Sequence, residues 1–132
     1  MSALLAEWSV AVEAWKVADF ARAVGDDHPT APAPTFPVVL TAAFIERLVR
    51  ELLPVDRSRT VHGEQEYEYR RPLRVGDRLR CRARIVSDTT KQGRRGGAMR
   101  LIVTEIEMTD EASGEVVGWE RATSVETQGL EA

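Results

Sequence analysis

The chain has a single cysteine, Cys81, in 132 residues. No disulfide can form within it, and the paired Cys/His spacings of zinc sites are missing. Cys81 sits inside an apolar/polar alternation, which fits a structural thiol better than a nucleophile. Aromatic residues make up only 6%. No apolar run approaches the length needed to span a bilayer, and no basic, apolar, small-residue leader opens the chain. A cytoplasmic protein is therefore expected, without a membrane partner. There is no phosphate loop and no dinucleotide fingerprint; Gly96-Gly97 lies in a polar turn and does not follow a strand. The net charge of −3 gives no long-range attraction to nucleic acid. Arginines do gather between Arg70 and Arg84, but acidic residues flank them, as on a solvated strand face.

The length suits one domain, residues 1–132, with a core large enough to need no staples. Residues 1–6 and 128–132 are expected to fray. Trp8 to Val12 alternates like a strand. Val17, Phe20, Ala21 and Val24 then recur at helical spacing, and Gly25 is a natural stop. Residues 26–37 hold Pro29, Pro32, Pro34 and Pro37, four of the six prolines, which makes a stiff loop. From Val38 to Leu53 the apolar residues cover most of a helix circumference, and only Glu46, Arg47, Arg50 and Glu51 interrupt them. Such a helix is mostly buried. Pro54 ends it.

The remainder reads as four strands: Val61 to Arg70, Leu79 to Val86, Met99 to Met108 and Glu115 to Glu126. A turn at 71–77, a polar connection at 88–98 and a hairpin at 110–114 join them. On the third of these strands Ile102, Thr104, Ile106 and Met108 share a face. One sheet buries so apolar a helix only by curling around it. The expectation is an α+β fold in which a curved antiparallel sheet wraps one long helix, the hot-dog architecture.

Three segments carry a resemblance. They are Val12 to Pro29, with Gly25-Asp26-Asp27-His28-Pro29 at its end; Ala33-Pro34-Thr35-Phe36-Pro37; and His62-Gly63-Glu64-Gln65-Glu66-Tyr67-Glu68-Tyr69-Arg70-Arg71-Pro72-Leu73, followed by Gly76-Asp77. In order and spacing the sequence resembles the MaoC-like family, above all its fungal-fatty-acid-synthase-like dehydratase N-terminal domains. It is similar to the non-catalytic subunits of mycobacterial (3R)-hydroxyacyl-carrier-protein dehydratases. The resemblance implies a hot-dog domain that handles acyl thioesters of coenzyme A or acyl-carrier protein, with no further cofactor. It also implies side-by-side pairing, as a homodimer or as a heterodimer with a catalytic MaoC-like subunit.

Catalytic relatives carry Asp-x-Asn-Pro-x-His, whose acid and imidazole hold and deprotonate a water. Backbone N–H groups at the helix start polarise the thioester carbonyl. Laid on this chain, the motif begins at Asp26 and its proline falls on Pro29. His28 takes the asparagine position and Ala31 the histidine position, where it cannot move a proton. Pro37 has no N–H to give. Asp26, Asp27 and His28 are thus the candidate polar cluster; the alternative reading is that Asp26 or Asp27 organises a turn through backbone hydrogen bonds and His28 is exposed. Phe36, Val38, Val39 and His62 are the expected substrate contacts. The expectation is the substrate-binding half of a (3R)-hydroxyacyl-thioester dehydratase or enoyl-thioester hydratase. Two alternatives stand beside it: a hot-dog thioesterase using Glu46, and an acyl-thioester binder without chemistry. Glu46 four residues before Arg50 also fits plain ion pairing.

Overall fold

A computed structural model describes residues 3–27, 30–94 and 97–128. The chain opens with β1 (Leu4–Ala11) and α1 (Ala14–Val24). After the proline loop comes α2 (Pro37–Arg47), continued by one π-helical turn (Leu48–Leu52). A short 3₁₀ turn (Arg57–Arg59) leads into β2 (Thr60–Tyr69). Then follow β3 (Arg78–Gln92), β4 (Ala98–Asp110) and β5 (Val116–Thr127). All strand pairs are antiparallel, in the order β1-β3-β4-β5-β2, so β1 and β2 are the free edges.

The helix ends follow from local chemistry. Gly25 closes α1 in the left-handed conformation (φ 73°), which glycine adopts without steric cost, and Asp26 N–H caps Ala21 O at 2.8 Å. Pro37 opens α2, where a missing N–H costs nothing. In the π turn Leu53 N–H reaches back five residues to Leu48 O, and both of these leucines stay buried.

The core lies between α2 and the concave face of the sheet. Pro37, Leu40, Thr41 and Phe44 face inward at helical spacing, and Leu48 continues the stripe. They meet Leu79, Cys81 and Ala83 from β3, and Ile102, Ile106 and Met108 from β4. Trp8 of β1 stacks on Phe44 at 4.9 Å, and Phe20 of α1 meets Phe36 edge-on at 5.8 Å. On β4 the face of Ile102, Thr104, Ile106 and Met108 is the buried one. The opposite side of α2 is less covered than its composition suggests: Val38, Ala42 and Ala43 are exposed. Five strands wrap about half of the helix.

Two boundaries differ from expectation. Leu4 to Glu7, expected to be frayed or outside the strand, belong to β1 and pair with Arg82 to Arg84 of β3. The expected polar connection at 88–98 is mostly ladder: β3 runs on to Gln92, and Asp88 to Gln92 pair with Ile102 to Ala98. Arg100 grips Asp88 there with two hydrogen bonds of 2.7 and 2.9 Å. The alternation fades at Val86 because the register shifts between Ile85 and Ser87, so one extra residue bulges out and the faces exchange. On the outer face Arg80 and Arg82 both pair with Glu7, and Arg78 with Glu111, so most of the arginine run is neutralised locally.

The 71–77 turn is tied down by charge. Arg71 holds Asp77 through both carboxylate oxygens (2.9 and 3.2 Å), and Asp77 also accepts from Arg74 N–H at 2.8 Å. Gly76 takes φ 96° and donates to Val12 O. At Gly118 the strands approach so closely that a Cβ would lie 2.4 Å from Glu68 O. Gly118→Ala must therefore push β2 off β5. We expect a loss of roughly 1–3 kcal/mol, read as a lower urea midpoint, and an unchanged midpoint would contradict this packing.

Candidate functional site

The loop between α1 and α2 is where the chemistry was expected. Asp26 is half-buried and Asp27 exposed. His28 and Pro29 lie outside the described residues. Ala31, on which the expected imidazole position falls, is exposed. The loop is fastened to the edge strand: Tyr69 donates its hydroxyl hydrogen to Pro34 O.

The start of α2 does not present free amides. Phe36 N–H bonds Ala33 O, Val38 N–H bonds Thr35 O and Val39 N–H bonds Phe36 O, at 2.9, 3.2 and 2.9 Å. The two donors considered for a thioester carbonyl are thus spent within the turn. Phe36 is fully buried and meets Phe20 edge-on. Val38 is exposed and Val39 half-buried on the open side of α2. His62 is exposed on β2, beside a register shift between His62 and Glu64. Glu46 faces solvent and is paired with Arg50. Nothing around it resembles the desolvated setting a nucleophilic carboxylate needs. The Cys81 thiol is buried, and burial pushes its pKa up to about 12, so it is structural as expected.

The concave face of β2 shows what the sequence reading missed. Gln65, Tyr67 and Tyr69 alternate on it, each half-buried, while Glu64, Glu66 and Glu68 point outward. Beyond Tyr69 the surface opens into a cleft of about 340 Å³ between the proline loop (Pro32, Ala33, Pro34) and the turn at Arg70 to Leu73. Burial raises the pKa of both tyrosines, so their hydroxyls stay protonated.

Behind this row lies Glu120 of β5, 1% exposed and pointing into the core. Its Oε1 lies 2.6 Å from Gln65 Nε2 and 3.0 Å from Thr41 Oγ1. Thr41 Oγ1 is also 3.2 Å from Pro37 O. The threonine has one hydrogen, and the Pro37 carbonyl only accepts. Thr41 donates this hydrogen to Glu120 Oε1, or shares it with Pro37 O, and Gln65 N–H donates to the same Oε1. Burial raises the Glu120 pKa, and the Thr41 and Gln65 hydrogen bonds offset this only in part. Glu120 Oε2 and Thr104 Oγ1 remain without partners, on neighbouring strands of the same buried face. Among the described residues, no group of three or more His, Cys, Asp or Glu is placed to hold a metal ion.

This acid makes stability depend on pH in a defined direction. Above the ordinary carboxylate range the unfolded chain releases the Glu120 proton, while the folded chain keeps it. Stability is greatest below that range and falls by about 1.4 kcal/mol per pH unit until the raised folded value is passed. Glu120→Gln mimics the neutral acid and removes this slope. The variant should gain on the parent in thermal melts at pH 8 and match it near pH 4; equal melting differences at both pH values would rule out a buried neutral acid.

With this geometry in view, the likenesses are informative. A family model described as "FAS1-like, dehydratase domain region" matches residues 2–118. A UPF0336 protein of Clavibacter michiganensis is 36% identical over 119 residues, covering 77% of this chain and 76% of its own. One from Tropheryma whipplei (strain Twist) is 36% identical over 117 residues, covering 77% and 80%. Among solved structures, the HadBC (3R-hydroxyacyl-ACP dehydratase) complex of Mycobacterium tuberculosis superposes with a TM-score of 0.70 at 22% identity, over 95% of this chain and 94% of that one. A MaoC-like dehydratase gives a TM-score of 0.74 at 26% identity, over 95% of this chain and 41% of that one. The architecture is therefore the α+β hot dog, and the chain belongs to the family of FAS1-like dehydratase domain regions.

Proposed function

We propose that this domain is the substrate-binding, catalytically incomplete half of a (3R)-hydroxyacyl-thioester dehydratase or enoyl-thioester hydratase, completed by a catalytic MaoC-like subunit. The observation that carries this reading is the helix start. Ala31 replaces the imidazole, and the Val38 and Val39 amides are already bonded within the turn. A domain with neither proton carrier nor carbonyl donor at that place binds better than it reacts.

Pairing has physical support. β2 bonds β5 along one edge only, and Val61 on it is 60% exposed. The exposed side of α2, with Val38, Ala42 and Ala43, is a second uncovered apolar face. A second hot-dog chain would satisfy the edge and cover the helix together. Likeness to chains from two complexes, HadBC and ChsH1-ChsH2 of Mycobacterium tuberculosis, points the same way (TM-scores 0.70 and 0.73). The exposed, ion-paired Glu46 gives the thioesterase reading no comparable footing.

Hydration of trans-2-enoyl-CoA tests the reading. The purified chain should show no turnover above background, and co-expression with a MaoC-like chain bearing an intact Asp-x-Asn-Pro-x-His loop should yield a heterodimer with activity. Robust turnover by the lone chain, abolished in His28→Ala, would show that the domain is itself catalytic. Glu46→Gln should leave the activity of the pair unchanged.

A further inference from the structure

Resting on the thioester-binding reading above, we infer that the cleft between the proline loop and the turn after β2 receives the acyl arm of the thioester, and that its walls select an unsubstituted hydrocarbon chain of medium length. The cleft holds about 340 Å³. That is room for on the order of ten groups the size of a water molecule, at about 30 Å³ each. A methylene is of similar size.

The ligand's chemistry follows from how much of the polar surface in the walls is already engaged. Pro32, Pro34 and Pro72 have no N–H to offer. The Pro34 carbonyl accepts from the Tyr69 hydroxyl, the Pro72 carbonyl from Arg71, and the Ala33 carbonyl from Phe36 N–H. Arg70 N–H bonds Val117 O, and its guanidinium lies over the Trp119 ring at 4.9 Å. The Arg71 guanidinium is spent on Asp77 and Asp110. A polar ligand would lose its water here and find few partners in return, which weakens binding. A hydrocarbon chain needs no partners and gains with each methylene it buries. Leu73, which also belongs to the core, extends that apolar surface into the cleft.

The walls are also fixed before any ligand arrives. Proline locks the backbone at three wall positions. Tyr69 fastens the loop wall to the sheet wall through Pro34 O. The fork of Arg71 on Asp77, at 2.9 and 3.2 Å, holds the turn. A preformed pocket binds without the entropy cost of ordering its own side chains. Fixed walls set a limit as well: a chain longer than the space must leave its end in water.

The test uses S-alkyl-CoA thioethers, which can be neither hydrated nor hydrolysed, from ethyl to tetradecyl. They are titrated calorimetrically into the purified chain and into its pair with a MaoC-like subunit. Affinity should rise roughly threefold to fourfold per methylene and level off near roughly ten carbons. In NMR spectra of the parent, the terminal methyl of S-octyl-CoA should show NOEs to the Ala33 and Leu73 methyls. Ala33→Phe fills the cleft while keeping the backbone carbonyl that Phe36 N–H uses. It should weaken S-octyl-CoA about tenfold or more and leave S-ethyl-CoA unchanged; if it fails to fold, the chain-length series and the NOEs decide. Equal affinity of the parent for S-ethyl-CoA and S-octyl-CoA would overturn the inference and leave thioester binding intact. So would an equal loss of both ligands in Ala33→Phe, or NOEs that reach α2 and neither Ala33 nor Leu73. No binding of any thioether by either form would overturn the thioester reading itself, and the inference with it.

Discussion

Half of one helix sets the terms for this molecule. Pro37, Leu40, Thr41, Phe44 and Leu48 must leave water, and only a concave sheet face can receive a whole helical stripe. The strand order follows from that demand. β3 and β4 bring their buried alternations to the centre, and β1 and β5 flank them. The fixed turn at Arg71, Asp77 and Gly76 brings β3 back beside β1. Burial of the same stripe also decides which way the proline loop runs, because Phe36 must reach Phe20 before α2 can begin. The loop's chemistry is then constrained by packing. Its tight turns consume the amides that a catalytic helix start would leave open.

Much of this was legible in the sequence. Val17, Ala21 and the glycine stop located α1, and the period of two in Leu79, Cys81 and Ala83 and in Ile102 to Met108 located the two central strands. The failures share a cause. Leu4 to Ala6 and Asp88 to Gln92 show no inward/outward contrast, because their strandness comes from ladder hydrogen bonds and not from a buried face. The Val86 bulge breaks a pattern that a simple alternation cannot carry across.

The site was less legible than the fold. That Ala31 falls at the imidazole position is what the resemblance implies for the loop. The fate of the Val38 and Val39 amides could not be read from the sequence, since it depends on turn geometry three residues upstream. Phe36 was expected beside ligand because of its place in the chain, and it is core because of its place in space. Glu120 was missed for a sharper reason. On β5 the alternation pits Trp119, Arg121 and Val125 against Gly118, Glu120, Ala122 and Ser124, and amphipathic logic sends the glutamate outward. The small residues in its phase were the available clue. Gly118 and Ala122 lie on the face that comes closest to neighbouring backbone and helix, so the face with the carboxyl is the buried one.

That inversion carries weight beyond the fold. Burying a carboxyl costs several kcal/mol if it ionises; burial raises the Glu120 pKa, and Oε2 has no partner among the described residues. Core packing alone would be served better by an apolar side chain of similar volume. What an apolar residue cannot do is link Thr41 at the start of α2 to Gln65 on the free edge strand. The cost therefore falls where α2 and the edge strand β2 are joined through one buried side chain, so Glu120 is a link between elements before it is a packing residue.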